Sequence, residues 1–412
     1  MAGRQGLMAK TVCLGMSGGV DSALAAALLV EQGFDVRAVY MRNWSRDLPG
    51  FRCRWADDLA DAERVAVTLG IGLEVWDCEE EYRRTVVDYL VDAYACGLTP
   101  NPDVMCNQTV KFGTFAQRAL AEGADYVATG HYARVGSQLG EGGAPSGVVA
   151  AMPQAGVPAS GQAGMDGLGA ASGLVAPARL FRAADEYKDQ TYFLWRVPGE
   201  VLAHTLFPIG GYASKAEVRA ACAERGLGVE AKPDSDGICF VGEVGIRSFL
   251  LDTLERRAGD VVEWETGRVL GRHDGAFLFT VGQRRGLDLG GGPARYVVST
   301  DVERNVVYVS ASLDCPGLWC RGLELSDVRW IAGLPPQAGR YLLRTRHTGE
   351  LVEALVTPRE PDVVHGLPWA TVEFDEPRRT VAPGQSAVVY DGLECLGGGV
   401  VVRGPEGVPG WA

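Results

Sequence analysis

The sequence predicts an α/β chain, with a parallel sheet and its helices at the amino end followed by β-rich regions. Over roughly the first 130 residues, short apolar strands alternate with helical segments, as in parallel βαβ units. After about Phe249 the pattern changes to short strands broken by turns. A glycine-rich turn joins the first strand to the first helix, and sheets of this kind hold ligands at the carboxyl ends of their strands. At 412 residues the chain exceeds what one core usually supports, so two or three domains are expected.

In order, Thr11 to Leu14 reads as a buried strand, Gly15 to Val20 as a turn, and Asp21 to Gln32 as an Ala/Leu-rich helix ended by Gly33. Val36 to Met41 is the next strand, Leu59 to Leu69 a helix stopped by Gly70, and Leu73 to Trp76 a third strand. Glu79 to Cys96 reads as a helix stopped by Gly97, and Tyr126 to Thr129 as a short strand. Gly, Ala, Pro and Ser dominate residues 137–178, where Glu141 and Asp166 are the only charges. That composition predicts a flexible surface insertion, because few side chains could repay the entropy of ordering it. Lys215 to Arg225 reads as an amphipathic helix. Later strands are expected at Val261–Trp264, Phe277–Val281, Tyr296–Ser299 and Val306–Val309. Cys315 to Arg321 is expected to link to a last β-rich region with strands at Tyr341–Arg346, Leu351–Val356, Trp369–Phe374 and Ser386–Tyr390.

Composition excludes several classes. No apolar run approaches the roughly 20 residues that cross a bilayer, and the opening segment shows no separate secretory h-region, so a cytoplasmic location without membrane association is expected. The ten cysteines are scattered, no CxxC pair occurs, and the five histidines are isolated, which gives neither a disulfide scaffold nor a zinc cluster. A net charge of -13 disfavours indiscriminate nucleic-acid binding while leaving room for a local basic track.

The strongest local signal is Gly15-Met16-Ser17-Gly18-Gly19-Val20-Asp21-Ser22. Its glycines let backbone N–H groups converge on phosphate oxygens, Ser17 and Ser22 add hydroxyls, and the following helix points its positive end at the anion. Asp21 suits magnesium coordination or loop positioning better than direct phosphate contact. Walker A and GxGxxG patterns are both absent here, which disfavours those nucleotide classes. Two cysteines stand in distinctive settings: Cys106 after Thr99-Pro100-Asn101-Pro102-Asp103-Val104-Met105, and Cys239 within Asp234-Ser235-Asp236-Gly237-Ile238-Cys239. Read locally, each is either a structural thiol or a reactive one on a polar loop.

GMSGGVDS, NWSRD, TPNPDVMCN, ATGHYAR, KDQTYFL, LFPIGGY, DSDGICFVG and TVGQRRGL occur in the order found in tRNA-specific 2-thiouridylases, and VAPGQSAVVYDG with CLGGGVV resembles that family's final barrel. The chain is thus similar to this branch of the ATP pyrophosphatases. The resemblance implies an adenine-nucleotide α-hydrolase-like catalytic domain over residues 1–247 carrying the 137–178 insertion. A small β-rich domain over 248–311 and a C-terminal β-barrel over 312–412 complete the expected architecture.

It further implies 2-thiolation of the wobble uridine in tRNAs for Lys, Glu and Gln. ATP with Mg2+ would adenylate the uridine C2 oxygen, and an upstream protein would load a persulfide on Cys239. That sulfur attacks directly or is released by Cys106 as a sulfide equivalent, and a Cys106–Cys239 disulfide can follow. Gly15 to Ser22, Met41 and Gly130 are the implied nucleotide residues, with Asp21 also the metal ligand. Implied tRNA contacts are Asn101, Pro102, Asp103, His131, Lys188, Asp189, Gln190, Arg344, Thr345 and Gln385. Asp103 is either a general acid/base or uridine-positioning group or part of an Asx turn. The chain departs from the family pattern at Thr345, where an aromatic is common, at Asn107-Gln108-Thr109, and at the long insertion. Two other readings remain at this level: a different adenylating ATP pyrophosphatase, or a tRNA-binding module without catalysis.

Overall fold

The computed structural model describes residues 9–47, 53–136, 177–234, 245–361 and 366–403. Residues 137–176 of the insertion, Cys239 with its neighbours, and the tail after Arg403 lie outside the described residues. Among the described residues no helix is long and apolar enough to cross a membrane.

The amino-terminal sheet contains β1 (Thr11–Gly15), β2 (Asp35–Arg42), β3 (Gly72–Asp77), β4 (Tyr126–Thr129) and, past a hairpin of β5 (Ala133–Gly136) and β6 (Arg179–Arg182), the short β7 (Thr205–Leu206). Its order is β3-β2-β1-β4-β7, and every pairing is parallel. The chain winds outward in opposite directions from β1, so the crevice between the carboxyl ends of β1 and β4 is the topological switch point. Helices α1 (Val20–Glu31) and α2 (Trp55–Leu69) pack on one face with Val218 and Cys222 of a later helix.

On the other face, α3 (Glu79–Tyr82) continues through a π-helical stretch, Arg83–Val87, into α4 (Asp88–Ala95). The region read as a loop before Cys106 is instead helical: α5 (Pro102–Met105) passes into a π-helix at Cys106–Phe115 and then α6 (Ala116–Ala121). Pro102 starts it, because proline fits the first turn, where its missing N–H costs no hydrogen bond. Past α7 (Gly199–Leu202) comes α8 (Lys215–Glu224), whose N-cap Ser214 accepts from the Glu217 N–H; α9 (Gly245–Thr253) leads into the next unit.

A four-stranded sheet follows, ordered β10-β11-β8-β9, from β8 (Gly259–Glu263), β9 (Val269–His273), β10 (Tyr296–Asp301) and β11 (Val306–Ser310). Phe277–Val281 is not a strand: Ala276–Leu278 is a 3-10 turn, and its apolar side chains plug the core shared with the catalytic helices. Finally β12 (Trp319–Trp330), β13 (Gly339–Arg344), β14 (Val352–Arg359), β15 (Trp369–Arg379), β16 (Ser386–Asp391) and β17 (Glu394–Arg403) run in the order 12-15-14-13-16-17, and β12 pairs again with β17. That last pairing closes a six-stranded antiparallel barrel and removes its edges. The expected link at Cys315–Arg321 is largely the start of β12. The β5-β6 hairpin, which flanks the insertion, extends this sheet by pairing β6 with β17.

Candidate active site

The loop after β1 is built from backbone. Gly18 has φ +73°, and a Cβ there would lie 2.0 Å from the Asp58 carbonyl oxygen, so only glycine lets α2 close over the loop. Ser22 Oγ accepts from the Ser17 N–H at 3.2 Å, donates to the Gly19 carbonyl at 3.1 Å, and lies 3.2 Å from Ser17 Oγ. Met16 and Val20 are buried and offer the loop main chain only. No side chain caps α1, which leaves the N–H groups of its first turn for an anion.

The other predicted nucleotide residues converge on this point. Gly130 follows β4, and a Cβ there would be 2.7 Å from both the Asp21 carbonyl carbon and the Ser22 nitrogen. The methyl of Met41, at the end of β2, would lie 2.9 Å from a Cβ on Gly15. Strands β1, β2 and β4 thus bring Gly15, Met41 and Gly130 around one crevice.

Asp21 accepts from the Tyr132 hydroxyl at 2.9 Å, and both its oxygens lie 2.8 Å from Lys215 Nζ. Among the described residues no group of three or more His, Cys, Asp or Glu would hold a metal unaided. A single carboxylate beside phosphate-binding backbone nevertheless fits magnesium, which takes one or two carboxylates and fills its shell from substrate phosphates and water.

Sequence reasoning gave no role to two lysines here. Lys232 Nζ donates to the Gly18 carbonyl at 3.1 Å and to Asp58 at 2.7 Å, tying the loop to α2. Lys215 bridges Asp21 to Asp234, 2.9 Å away. Burial works against the Asp234 charge, but hydrogen bonds from Lys188 and Lys215 outweigh it and hold the carboxyl down at about 2. The available signals were the start of the amphipathic helix for Lys215 and the Lys232-Pro233-Asp234 run entering the second cysteine motif.

Cys106 is buried, 5% exposed, at the first position of the π-helix, a geometry concentrated at functional sites. Its helix touches all three units: Cys106 and Phe115 share a core with the central sheet, while Val104 and Phe112 share one with barrel residues Val388 and Tyr390. Asp103 lies three positions earlier and is half-buried. Burial raises its carboxyl above the ordinary range, partly opposed by Lys111. The ring centroids of Phe112 and His131 are 5.8 Å apart, which connects the Cys106 helix to Gly130 and so to the phosphate loop.

Several residues expected to touch tRNA have internal partners in this structure. Asp189 is 0% and Arg344 6% exposed; they meet at 3.0 Å, and Asp189 also takes the Ala183 N–H and the Thr191 hydroxyl. This nearly buried pair fastens β13 to the amino-terminal unit. His131 is likewise buried, bonded to Thr129 Oγ1 at 2.7 Å. Burial, reinforced by Lys111, keeps its ring well below the usual histidine range and therefore neutral. Gln190 Oε1 accepts from the Tyr132 N–H at 2.9 Å. Lys188 remains half-buried, 2.7 Å from Asp234.

Asn101, Pro102, Thr345 and Gln385 gather at the seam with the barrel. Asn101 Oδ1 accepts from the Ser386 N–H at 2.8 Å and Gln385 Nε2 donates to the Thr99 carbonyl at 2.7 Å. Pro102 is buried beside them, and the Tyr192 hydroxyl bonds the carbonyls of Thr345 and Ser386.

Comparison with known proteins gives the same order of parts. Residues 10–154 and 169–243 match the family model described as "tRNA methyl transferase HUP domain", 247–311 match "tRNA methyl transferase PRC-barrel domain", and 320–401 match "Aminomethyltransferase beta-barrel domain". Among full-length relatives, the tRNA-specific 2-thiouridylase MnmA 2 of Geobacillus kaustophilus is 39% identical over 95% of this chain and 94% of its own. The tRNA-specific 2-thiouridylases MnmA of Geobacillus thermodenitrificans and Idiomarina loihiensis are 39% and 38% identical, each over 95% of this chain, covering 94% and 96% of their own. With the phosphate loop at the sheet's switch point, the Cys106 helix beside it and near full-length identity to these enzymes, the chain belongs to the tRNA-specific 2-thiouridylase family.

Proposed function

We propose that the chain is an ATP-dependent tRNA-uridine 2-sulfurtransferase acting on the wobble uridine of tRNAs for Lys, Glu and Gln. The observation that carries this reading is the continuous contact from the uncapped start of α1, through Gly130 and His131, to the helix that begins at Cys106. It connects the loop read as phosphate-binding to the helix that carries the Cys106 thiol, which supports adenylation followed by sulfur transfer. The working units are residues 1–247, 248–311 and 312–412.

The backbone of residues 15–22, with Ser17 and Ser22, binds the ATP phosphates, and Met41 packs against the adenine. The uridine C2 oxygen attacks the α phosphorus and pyrophosphate departs. Asp21 is the carboxylate that would hold magnesium, which would supply charge compensation at the ATP phosphates. Lys215, paired with Asp21, is placed to keep the local charge balanced.

Adenylation makes C2 electrophilic with AMP as leaving group. The terminal sulfur of a Cys239 persulfide, delivered by a donor protein, then forms the C–S bond. In the direct route the persulfide displaces AMP to give C2–S–S–Cys239, and the Cys106 thiolate attacks the Cys239 sulfur, releasing 2-thiouridine and leaving a Cys106–Cys239 disulfide. In the other route Cys106 attacks the Cys239 sulfur of the persulfide first, and the hydrosulfide it frees displaces AMP from C2. External thiol reduces that disulfide. Asp103, whose carboxyl is raised by burial, accepts or positions the uridine N3 proton. Lys188, Gln190, Thr345 and Gln385 border the tRNA path.

The test supplies ATP, magnesium, a persulfide donor and candidate tRNAs and looks for 2-thiouridine by nucleoside mass spectrometry. Product is expected with wild type and is lost in Cys106→Ser and Cys239→Ser while tRNA binding persists. Absence of product from folded wild type on modifiable tRNA refutes the assignment.

A further inference from the structure

The motif Thr280-Val281-Gly282-Gln283-Arg284-Arg285-Gly286-Leu287 has no part in the chemistry above, yet it is one of the most closely tied turns in the central unit. Gly282 and Gly286 bracket it with φ +83° and +78°, values that favour glycine. The Gln283 side chain spans the inside, accepting from the Thr280 N–H at 3.0 Å and donating to the Arg285 carbonyl at 2.8 Å. Main-chain bonds pin the turn to β10, from the Gly282 N–H to the Val297 carbonyl and from the Val297 N–H to the Gln283 carbonyl. Leu287 anchors its far end in the core.

This construction holds Arg284 and Arg285 outward, both exposed. Among the described residues neither has a carboxylate within ion-pair distance, whereas Arg268, Arg272, Arg295 and Arg304 of the same unit are each paired with Asp or Glu. A third exposed arginine, Arg247 of α9, lies over the Phe279 ring at 5.4 Å and reaches toward Gly286, so it shares their face. In a chain of net charge -13, three neighbouring guanidinium groups without acidic partners among the described residues form a local cationic patch. Its position is specific: Thr280 Oγ1 is 3.1 Å from Thr99 Oγ1, at the start of the segment that leads to Asp103 and Cys106.

We infer that this glycine-bracketed turn is a docking site for the phosphate backbone of the tRNA, with Arg284 and Arg285 as its ligands and Arg247 as support. The inference rests on the tRNA-thiolating function proposed above. A guanidinium fork suits two phosphate oxygens, and a turn fixed before binding loses little conformational entropy when it engages them. Such contacts set the register of the RNA without reading its sequence, as suits an enzyme that must bring one base to a buried thiol.

The experiment measures binding of an unmodified tRNA transcript by wild type and by the Arg284→Gln/Arg285→Gln and Arg284→Lys/Arg285→Lys double variants across a salt series, with ATP affinity measured in parallel. The Gln pair is expected to weaken tRNA binding on the order of tenfold and to flatten the slope of log K against log salt by about one per arginine. The Lys pair, which keeps the charge, recovers the slope. Circular dichroism and thermal melting confirm that the variants are folded, as expected for substitutions at exposed positions. Wild-type tRNA affinity and slope in the Gln pair, or a fall in ATP affinity in place of tRNA affinity, overturns the docking site. A wild-type protein that neither binds nor thiolates the transcript refutes the underlying function instead.

Discussion

Asp103 shows how one side chain acquires a role from its surroundings. In sequence it is a turn-forming residue after Asn101-Pro102 as readily as an acid or base. In the fold it sits in the first turn of a helix that ends against Cys106, and burial lifts its carboxyl above the ordinary range. Thiolation measured under single-turnover conditions should therefore fall in acid with an apparent pKa above that of a free aspartate. Asp103→Asn should lose this limb and on the order of a hundredfold in rate. The same shift fixes the sign of its effect on stability: a raised carboxyl favours the fold fully below the unfolded pKa, and that contribution is lost as pH rises through the folded value. Asp103→Asn should then melt no lower than wild type at pH 7, the two converging in acid. A variant markedly less stable at pH 7 would show that the ionised form is held by the fold.

Among elements, the β1–α1 and β4 junction is the most demanding. Thr11–Gly15, Val20–Glu31 and Tyr126–Thr129 lie within a residue or so of where apolar runs and glycine stops put them, because each is a local pattern with its own boundary signal. What the pattern does not contain is the clearance at Gly130, where a methyl would press on the backbone of Asp21 and Ser22. Backbone cannot swing aside as a flexible side chain does, so Gly130→Ala should push the start of α1 off its phosphate geometry. An increase in the KM for ATP on the order of tenfold to a hundredfold is expected, checked by pyrophosphate release; an unchanged KM would mean that the helix relaxes freely. Other elements were illegible for identifiable reasons. Phe277–Val281 looks like a strand because it is apolar, but those side chains serve as a core plug. Residues 102–121 carry a proline, a glycine and polar residues, received no element from the sequence beyond a loop at the approach to Cys106, and become helical through packing against two other units.

At the scale of the whole molecule, the catalytic unit and the barrel are joined by buried polar contacts. Arg344 and Asp189 form an ion pair with almost no solvent contact, while Asn101 and Gln385 bond backbone across the same seam. Removing one partner of such a pair leaves the other charge buried and uncompensated. Arg344→Met should cost about 3–5 kcal/mol, and adding Asp189→Asn should return part of it, a coupling visible in urea melts of the two single variants and the double. Additive losses would show that the two residues act independently. The seam also bears on function, because its bonds to Thr99 and Asn101 hold the segment that leads to Asp103 and Cys106.

By itself the sequence determined the parallel sheet, the phosphate loop, the β-rich remainder and, through the order of its motifs, the family. These are written in short stretches whose periodicity, glycines and prolines act over a few residues. Only the tertiary structure decided that Lys215 and Lys232 brace the loop, that Asp189, Arg344 and His131 face inward, and that the β5-β6 hairpin extends the barrel sheet. Each of those depends on partners far away in the chain, and a side chain's exposure and partners are properties of the packed molecule that no local window records.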